Sequence, residues 1–224
     1  MSVVGIVPAR GGSRAVPRKN LAPVAGEPLI VHTIRAALAA GSIDRLVVST
    51  DDDEIAEVAL AAGAEVVKRP AELALDESTT EEALLHALDI LGPPEPAYVV
   101  TLEPTSPLRT SALIDDCVRL AQERGADAVM TVSETRAIHG RLEEGRFIPL
   151  ERGQPRRRQL RAPLYRESST VYVTRTAYLR DTRSVVGDRV YALVVPEEEA
   201  IDINSELDLV VADALLRRRT KEDA

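Results

Sequence analysis

The chain has 224 residues, of which 45% are hydrophobic and 29% are charged, and its formal net charge is −8. This length is enough for one sizeable domain with a full core. The negative charge disfavours broad binding to nucleic acid or to a membrane surface, so we expect neither as a partner. Cys117 is the single cysteine, which excludes an internal disulfide and is typical of a reducing compartment. Because no secretory leader precedes the first predicted strand, we expect a cytoplasmic protein.

The most informative segment begins at Val3. Residues 3–7 form an apolar run that is typical of a strand buried on both faces of a sheet. Pro8 ends this run, and a glycine-bearing loop with four basic side chains follows it, as far as Asn20. Exposed backbone N–H groups and cationic side chains together favour binding of a polyphosphate. A solvated basic turn is the alternative, and neither the Walker pattern nor the dinucleotide fingerprint is present.

Apolar runs of strand length then alternate with amphipathic helical patterns. The predicted strands after the first are 45–50, 64–68, 97–102 and 126–132. The predicted helices begin after Pro28, at Asp52, after Thr79 or Thr80, and at Ser111. This alternation predicts an α/β fold with a Rossmann-like, doubly wound, mostly parallel sheet.

The alternation stops after Ser133. Glu144 and Gly145 lie between two short apolar stretches, which predicts a hairpin over 141–150. The later elements are a basic segment, two strands and a terminal helix, predicted over 152–161, 170–174, 191–195 and 205–219. We interpret 134–190 as a small inserted arm, and 1–133 with 191–224 as a nucleotide-binding domain.

One loop and one arginine that directly follow predicted strands are further candidates for the site. In the loop LEPTSPLR (102–109), two prolines fix the backbone while Thr105, Ser106 and Arg109 offer hydrogen-bond donors. Donors at the carboxyl end of a buried strand predict a substrate-binding floor, and a rigid turn that caps the next helix is the alternative. Arg69 follows the third strand, where it could face a phosphate group or pair with Glu72.

The segment AIDINSELD (200–208) combines apolar and oxygen-bearing side chains. Asp202 and Asn204 alternate with Ile201 and Ile203, which predicts that both polar groups share one face of a strand. Oxygen ligands in this arrangement favour Mg²⁺, which keeps bound waters and bridges phosphates. The alternative is an ordinary helix start, with Ser205 as its cap.

Together these segments resemble the CMP-sialic acid synthetases, the acylneuraminate cytidylyltransferase family. The matching segments, in the family's order and spacing, are PARGGSRAVPRKN, STDDDEIAEVALAAGAEVVKRPAELALDES, LEPTSPLR, QPRRRQL and IDINSELDL. The resemblance implies transfer of CMP from CTP to a hydroxyl of a sugar acid, with release of pyrophosphate and with Mg²⁺ as cofactor. It also implies a homodimer in which the arm completes the neighbour's site.

The resemblance further implies roles for individual residues. It implies catalytic roles for Arg10, Lys19 and Asp202, and metal ligation by Asp202 and Asn204. The residues implied in binding CTP are Ala9, Arg10, Gly11, Gly12, Ser13, Arg14, Lys19, Asn20, Arg69 and Ser78. The residues implied in binding the anionic acceptor are Glu103, Thr105, Ser106, Arg157 and Arg166.

Departures from the family pattern concentrate on the acceptor side. Family members typically have Gln at the position of Glu103, a second Asp at Asn204, Asn-Gly at 168–169 and an aromatic pair at 185–186. We therefore expect a cytidylyltransferase whose acceptor is sialic-acid-like but need not be N-acetylneuraminate. A phosphonate or an octulosonate-like acid is the alternative acceptor, and a non-catalytic nucleotide-binding relative is a third interpretation. Two roles are open for Glu103: its carboxylate either supplies the metal-binding charge that Asn204 lacks, or it faces the acceptor.

Overall fold

A computed structural model of the chain describes residues 1–13 and 16–222. The strands are β1 (Val3–Pro8), β2 (Pro23–Val24), β3 (Glu27–Pro28), β4 (Arg45–Thr50), β5 (Glu65–Lys68), β6 (Tyr98–Thr101), β7 (Ala128–Thr135), β8 (Gly140–Glu143), β9 (Arg146–Pro149), β10 (Leu164–Arg175) and β11 (Val190–Val195). The α-helices are α1 (Leu29–Leu38), α2 (Asp53–Ala61), α3 (Thr80–Leu91), α4 (Ser111–Arg124), α5 (Thr176–Thr182) and α6 (Glu206–Glu222).

Seven strands form the main sheet in the order β11-β7-β10-β6-β1-β4-β5. β1 pairs in parallel with β4 and β6, β4 with β5, and β7 with β11. β10 alone among these strands runs antiparallel to both of its neighbours. The predicted α/β fold with a mostly parallel sheet is therefore confirmed.

Alternate side chains of β1 serve two separate cores. Val3 and Val7 pack with α1, α2 and α4 on one face of the sheet. Val4 and Ile6 pack with α3 and α5 on the other face. Because successive side chains of a strand point to opposite faces, a continuous apolar run is what a sheet covered on both sides requires.

The predicted helix starts are confirmed by their caps. The Asp52 carboxylate accepts a hydrogen bond from the N–H of Ile55 at the start of α2. Thr79 and Glu82 form a reciprocal capping box at the start of α3. Thr110 caps α4 through the N–H of Leu113. Each cap satisfies N–H groups that the helix itself leaves without partners.

The boundaries predicted for the inserted arm need a correction. The predicted range 134–190 contains β10, which lies in the middle of the main sheet between β6 and β7. Within that range, residues 136–163 and 176–189 lie outside the sheet. The first of these segments carries the separate β8–β9 hairpin, whose turn at Glu144–Gly145 agrees with the sequence prediction, and the second carries α5. That this hairpin segment forms a dimer interface stays a prediction.

A third, smaller core joins the end of the chain to the sheet domain. Ile203 and Ala212 pack with Val24, Leu29 and Leu108. The N–H of Ile203 also donates to the carbonyl of Thr105, at 2.9 Å. These contacts hold the segment before α6 against the loop that follows β6. Within the described part of the chain, no helix has the length and apolar character needed to cross a membrane.

Candidate active site

An open cleft of about 290 Å³ lies at the carboxyl ends of β1, β5 and β6. Parallel strands place these ends at one edge of the sheet, which is where ligands bind in open α/β folds. The cleft is lined by Pro8, Arg10, Gly12, Ser13, Lys19, Asn20, Arg69, Asp76, Ser78, Thr79, Thr80, Glu103, Pro104 and Thr105. The structure thus brings together most of the residues that the sequence assigns to nucleotide binding.

Backbone contacts hold the first loop against the end of β4. The buried Ala9 donates its N–H to the carbonyl of Ser49 at 2.9 Å, and Gly11 donates to the Asp51 carboxylate at 3.0 Å. A Cβ atom at Gly11 would lie 2.6 Å from an oxygen of Asp52, so a side chain there displaces its surroundings. Ala9 and Gly11 therefore shape the loop but do not line the cleft. Arg14, predicted to hold phosphate, lies outside the described residues.

Two cations of the loop reach the cleft. The Arg10 guanidinium donates to the carbonyl of Leu75 at 2.8 Å and forms an ion pair with Asp76 at 2.9 Å. The Lys19 ammonium donates to the carbonyl of Ile203 at 2.8 Å. Burial lowers the pKa of Lys19, while the negative charges of Asp202 and Glu103 act in the opposite direction.

Other residues of the predicted nucleotide site support the backbone. Asn20 donates from its amide nitrogen to the carbonyl of Arg10 at 2.9 Å. Arg69 is buried and donates to the carbonyl of Ser49 at 3.1 Å, and no ion pair with Glu72 is formed. The Ser78 hydroxyl donates to the carbonyl of Glu72 at 3.2 Å and accepts from the N–H of Leu75. All three supporting side chains also line the cleft.

The loop after β6 contains a cation, Arg109, that the sequence predicts as a donor on the substrate-binding floor but that the structure buries. Arg109 is only 3% exposed, and its guanidinium donates to the carbonyl of Glu103 and to the hydroxyl of Thr33. Burial lowers the pKa of Arg109 to about 9, against the opposing influence of Glu103 and Asp202. Helical periodicity and motif spacing carry no signal that distinguishes this burial from a surface arginine.

Glu103 lies between these cations and a second carboxylate. Burial and the negative charge of Asp202 raise the pKa of Glu103, while Arg109 and Lys19 oppose that rise. Among the described residues, no hydrogen bond to the Glu103 carboxylate is formed. Glu103 therefore presents an unpaired acceptor group to the cleft.

The segment containing Asp202 differs from the prediction. Residues 201–204 form no strand, so the expected common strand face for Asp202 and Asn204 is wrong. Instead, the amide nitrogen of Asn204 donates to Oδ2 of Asp202 at 2.7 Å. Oδ1 of Asp202 is buried and has no hydrogen-bond partner in the described structure. Ser205 caps α6 as predicted, because its hydroxyl accepts from the N–H of Asp208 at 3.3 Å.

A second cavity of about 380 Å³ contains Asp202 on one wall. It is lined by Arg166, Glu167, Ser168, Ser169, Ala200, Ile201, Asp202, Asn204 and Asp208. The hydroxyl of Tyr172 donates to Glu167, and the backbone of Ser169 has a left-handed φ of 52° at a bulge in β10. A strained backbone beside a cavity is typical of a binding site.

The predicted acceptor residues divide between the two cavities. Glu103 and Thr105 line the first cavity, and Arg166 lines the second. Ser106 is fully buried and its hydroxyl donates to the carbonyl of Ser169, so it links the two loops and does not reach either cavity. Arg157 is exposed on the hairpin segment and lines neither cavity within this chain.

The sequence pattern of the family described as cytidylyltransferase matches residues 4–191. The chain belongs to the cytidylyltransferase family. The matched range contains β1 with its basic loop and β6 with its following loop, which line most of the first cavity, and β10, which lines part of the second. The segment with Asp202 follows the matched range.

Among individual proteins, the chain is 33% identical over 221 residues to the N-acylneuraminate cytidylyltransferase of Streptococcus agalactiae, with 94% of this chain and 52% of that protein covered. It is 29% identical to the CMP-N,N'-diacetyllegionaminic acid synthase of Legionella pneumophila, with 96% and 97% covered. The chain thus spans about half the length of the streptococcal protein and nearly all of the Legionella protein.

The fold is also found in a solved structure of CMP:2-keto-3-deoxy-manno-octonic acid synthetase complexed with CTP. The TM-score is 0.73 at 15% sequence identity, with 98% of this chain and 100% of that chain covered. At this identity the likeness concerns the fold alone.

Proposed function

We propose that the chain transfers CMP from CTP to a hydroxyl of a sialic-acid-like sugar acid, with release of pyrophosphate. The observation that carries this proposal is the cleft at the carboxyl ends of β1 and β6, where Arg10 and Lys19 meet beside a second, adjoining cavity. Two adjacent cavities are what a reaction between a nucleotide and an acceptor requires.

The reaction forms one bond and breaks another. The acceptor hydroxyl oxygen attacks the α-phosphorus and passes its proton to solvent, and the bond from that phosphorus to the bridging oxygen of pyrophosphate breaks. Negative charge builds up on the leaving pyrophosphate. Arg10 and Lys19 are positioned to stabilise that charge electrostatically, so no covalent enzyme intermediate is needed.

The second cavity supports an anionic acceptor. Arg166 is the cation among its lining residues, and it can pair with the carboxylate of a sugar acid. Full-length similarity to the Legionella synthase favours a sialic-acid-like acceptor over a phosphonate or an octulosonate-like acid. Those two classes remain the alternatives that an acceptor panel distinguishes.

We propose Mg²⁺ as the cofactor, because the residues present fit it. Oδ1 of Asp202 is a buried carboxylate oxygen without a partner. No group of three metal-binding acidic, histidine or cysteine side chains occurs in residues 1–13 and 16–222, but Mg²⁺ needs only one or two carboxylates together with phosphates and waters. When bound, Mg²⁺ would supply neutralising charge to the phosphates of CTP.

We further propose a homodimer formed through the β8–β9 hairpin. Leu142 and Phe147 on this hairpin are 77% and 54% exposed, and Leu150 and Leu160 nearby are each 63% exposed. Exposed apolar side chains grouped on one segment are typical of an interaction surface. We also propose a cytoplasmic location, which the single, buried thiol of Cys117 supports.

The test combines nucleotide binding with turnover. We expect CTP with Mg²⁺ to protect the protein against thermal unfolding far more than ATP or GTP does. We also expect pyrophosphate release only when a sugar acid is added, with N-acetylneuraminate, a legionaminic acid, an octulosonate and a phosphonate compared. Equal protection by all nucleotides, or no pyrophosphate with any acceptor, would contradict the proposal.

A further inference from the structure

Glu103 and Asp202 form no ion pair within residues 1–13 and 16–222, and they lie where the loop after β6 meets the segment before α6. We propose that Glu103 and Asp202 together hold the divalent cation, and that Asn204 is not a ligand but a donor that orients Asp202. The inference rests on the proposed function, since it concerns the metal that CTP brings into this cleft. It assigns Glu103 to the metal and not to the acceptor.

The hydrogen bond of Asn204 is the first argument. A carboxylate oxygen can only accept, so the amide must present its nitrogen to Oδ2 of Asp202, at 2.7 Å. The amide thereby fixes the Asp202 carboxylate and leaves Oδ1 as its free, buried oxygen. Asn204 thus orients the metal ligand Asp202 without itself contacting the metal.

The position of Glu103 is the second argument. Glu103 lines the cleft that contains Arg10 and Lys19, and it is absent from the cavity that contains Arg166. Its side chain therefore faces the side of the junction where phosphates are expected. A residue that selected the acceptor would instead line the Arg166 cavity.

The closeness of the two carboxylates is the third argument. The N–H of Ile203, next to Asp202, donates to the carbonyl of Thr105 at 2.9 Å, and Lys19 lines the cleft together with Glu103. The Lys19 ammonium is bonded to the carbonyl of Ile203 and forms no ion pair with either carboxylate. A divalent cation between Glu103 and Asp202 would bring these like charges into one coordination sphere, as Mg²⁺ sites commonly do.

The neighbouring loop holds both ligands in place. Arg109 donates to the backbone carbonyl of Glu103, and Thr105 accepts from the N–H of Ile203 through its carbonyl. The Thr105 hydroxyl is also buried without a partner in the described structure. The junction therefore contains a further oxygen that can bond a metal-bound water.

The experiment measures the gain in CTP affinity that Mg²⁺ produces, by calorimetry in EDTA and in saturating Mg²⁺, without acceptor. In Glu103→Gln we expect this gain to fall by about tenfold or more, the scale of losing a metal-site partner. Affinity for CTP without metal should stay equal or rise, because a negative charge near the phosphates is removed. Mn²⁺ titration followed by electron paramagnetic resonance gives the same comparison directly.

Two matched variants make the result specific. Glu206→Gln removes an exposed carboxylate near Asp202 in sequence that lines neither cavity, so it controls for general charge, and its Mg²⁺-dependent gain should match that of the unmodified protein. Asn204→Ala removes the donor that orients Asp202 without adding a charge, so the Mg²⁺-dependent gain should fall in this variant too, though by less than in Glu103→Gln. Asn204 is exposed, so this substitution is compatible with folding.

The outcomes separate the inference from the proposed function. A Mg²⁺-dependent gain that is unchanged in Glu103→Gln, or lowered equally in Glu206→Gln, would overturn the role of Glu103 while CTP binding stands. A change confined to the KM of the acceptor would also overturn it, in favour of an acceptor contact. If CTP binds no better than other nucleotides in the unmodified protein, the proposed function itself fails.

Discussion

Replacement of Lys19 by methionine tests the electrostatic centre of the site. Methionine keeps the length of the side chain but removes the ammonium that lies beside Asp202 and Glu103. Loss of one preorganised group that stabilises developing charge costs about 3–4 kcal/mol, which corresponds to roughly 10²- to 10³-fold in turnover. We therefore expect kcat to fall by at least about a hundredfold.

The same substitution also affects stability. The basic loop suggests an exposed lysine whose loss would not affect folding, but the structure shows a half-buried ammonium that donates to the carbonyl of Ile203 at 2.8 Å. A hydrogen bond from a charged group contributes about 1.5–3 kcal/mol. For a protein of this size we expect the melting temperature to fall by about 2–4 °C for each kcal/mol lost.

The assay measures pyrophosphate release together with thermal unfolding. Lys68→Met is the matched control, since Lys68 pairs with Asp53 on α2 and does not line the cleft. It should leave both turnover and melting temperature nearly unchanged, because exposed ion pairs contribute little. Turnover of Lys19→Met within about threefold of the unmodified protein, at a temperature where it is folded, would refute the electrostatic role.

Three further predictions concern the loop, the thiol and the assembly. Gly11→Ala should raise the KM for CTP and lower the melting temperature only slightly, since its new Cβ would lie 2.6 Å from Asp52 and shift the loop. An unchanged KM would contradict the close packing of this loop. Burial raises the pKa of Cys117 to about 12, so the native protein should resist thiol-specific reagents at pH 8 and react once denatured, and rapid native labelling would contradict its burial. Sedimentation should give a dimer that Phe147→Glu weakens, and a fully active monomer of the unmodified protein would exclude the proposed interface.

Much of the fold could be predicted because its signals are local. The apolar run of β1 and the caps at Asp52, Thr79 and Thr110 need only nearby residues, and the structure agrees with them. The basic loop was likewise predicted to face a cleft because glycines and cations follow a buried strand directly. These features depend on chain geometry over a few residues.

The errors come from contacts between residues that are distant in sequence. β10 pairs with β6 and β7, which lie about 30 to 75 residues earlier in the chain. Hydrophobic periodicity describes a single element and does not indicate which distant strand it pairs with. Asp202 and Asn204 alternate with apolar residues, yet Ile203 is buried under α6 and the segment bends instead of pairing as a strand. Arg109 can be buried because its guanidinium donates hydrogen bonds to Thr33 and to the carbonyl of Glu103, and no local sequence pattern predicts these contacts.

The central position of β10 has a consequence for how the protein is made. When a ribosome has synthesised the first 135 residues, β6 and β7 exist but the strand that must lie between them does not. Until residue 175 emerges, one edge of β6 and both edges of β7 therefore have no partner strand, and such edges are templates for association with other chains. We expect a fragment ending before β10 to aggregate or to be held by chaperones, whereas a fragment that includes β10 closes the gap. The second cavity is therefore completed only late in synthesis, because the strand that fills the gap in the sheet, β10, also carries Arg166 and Glu167 into that cavity.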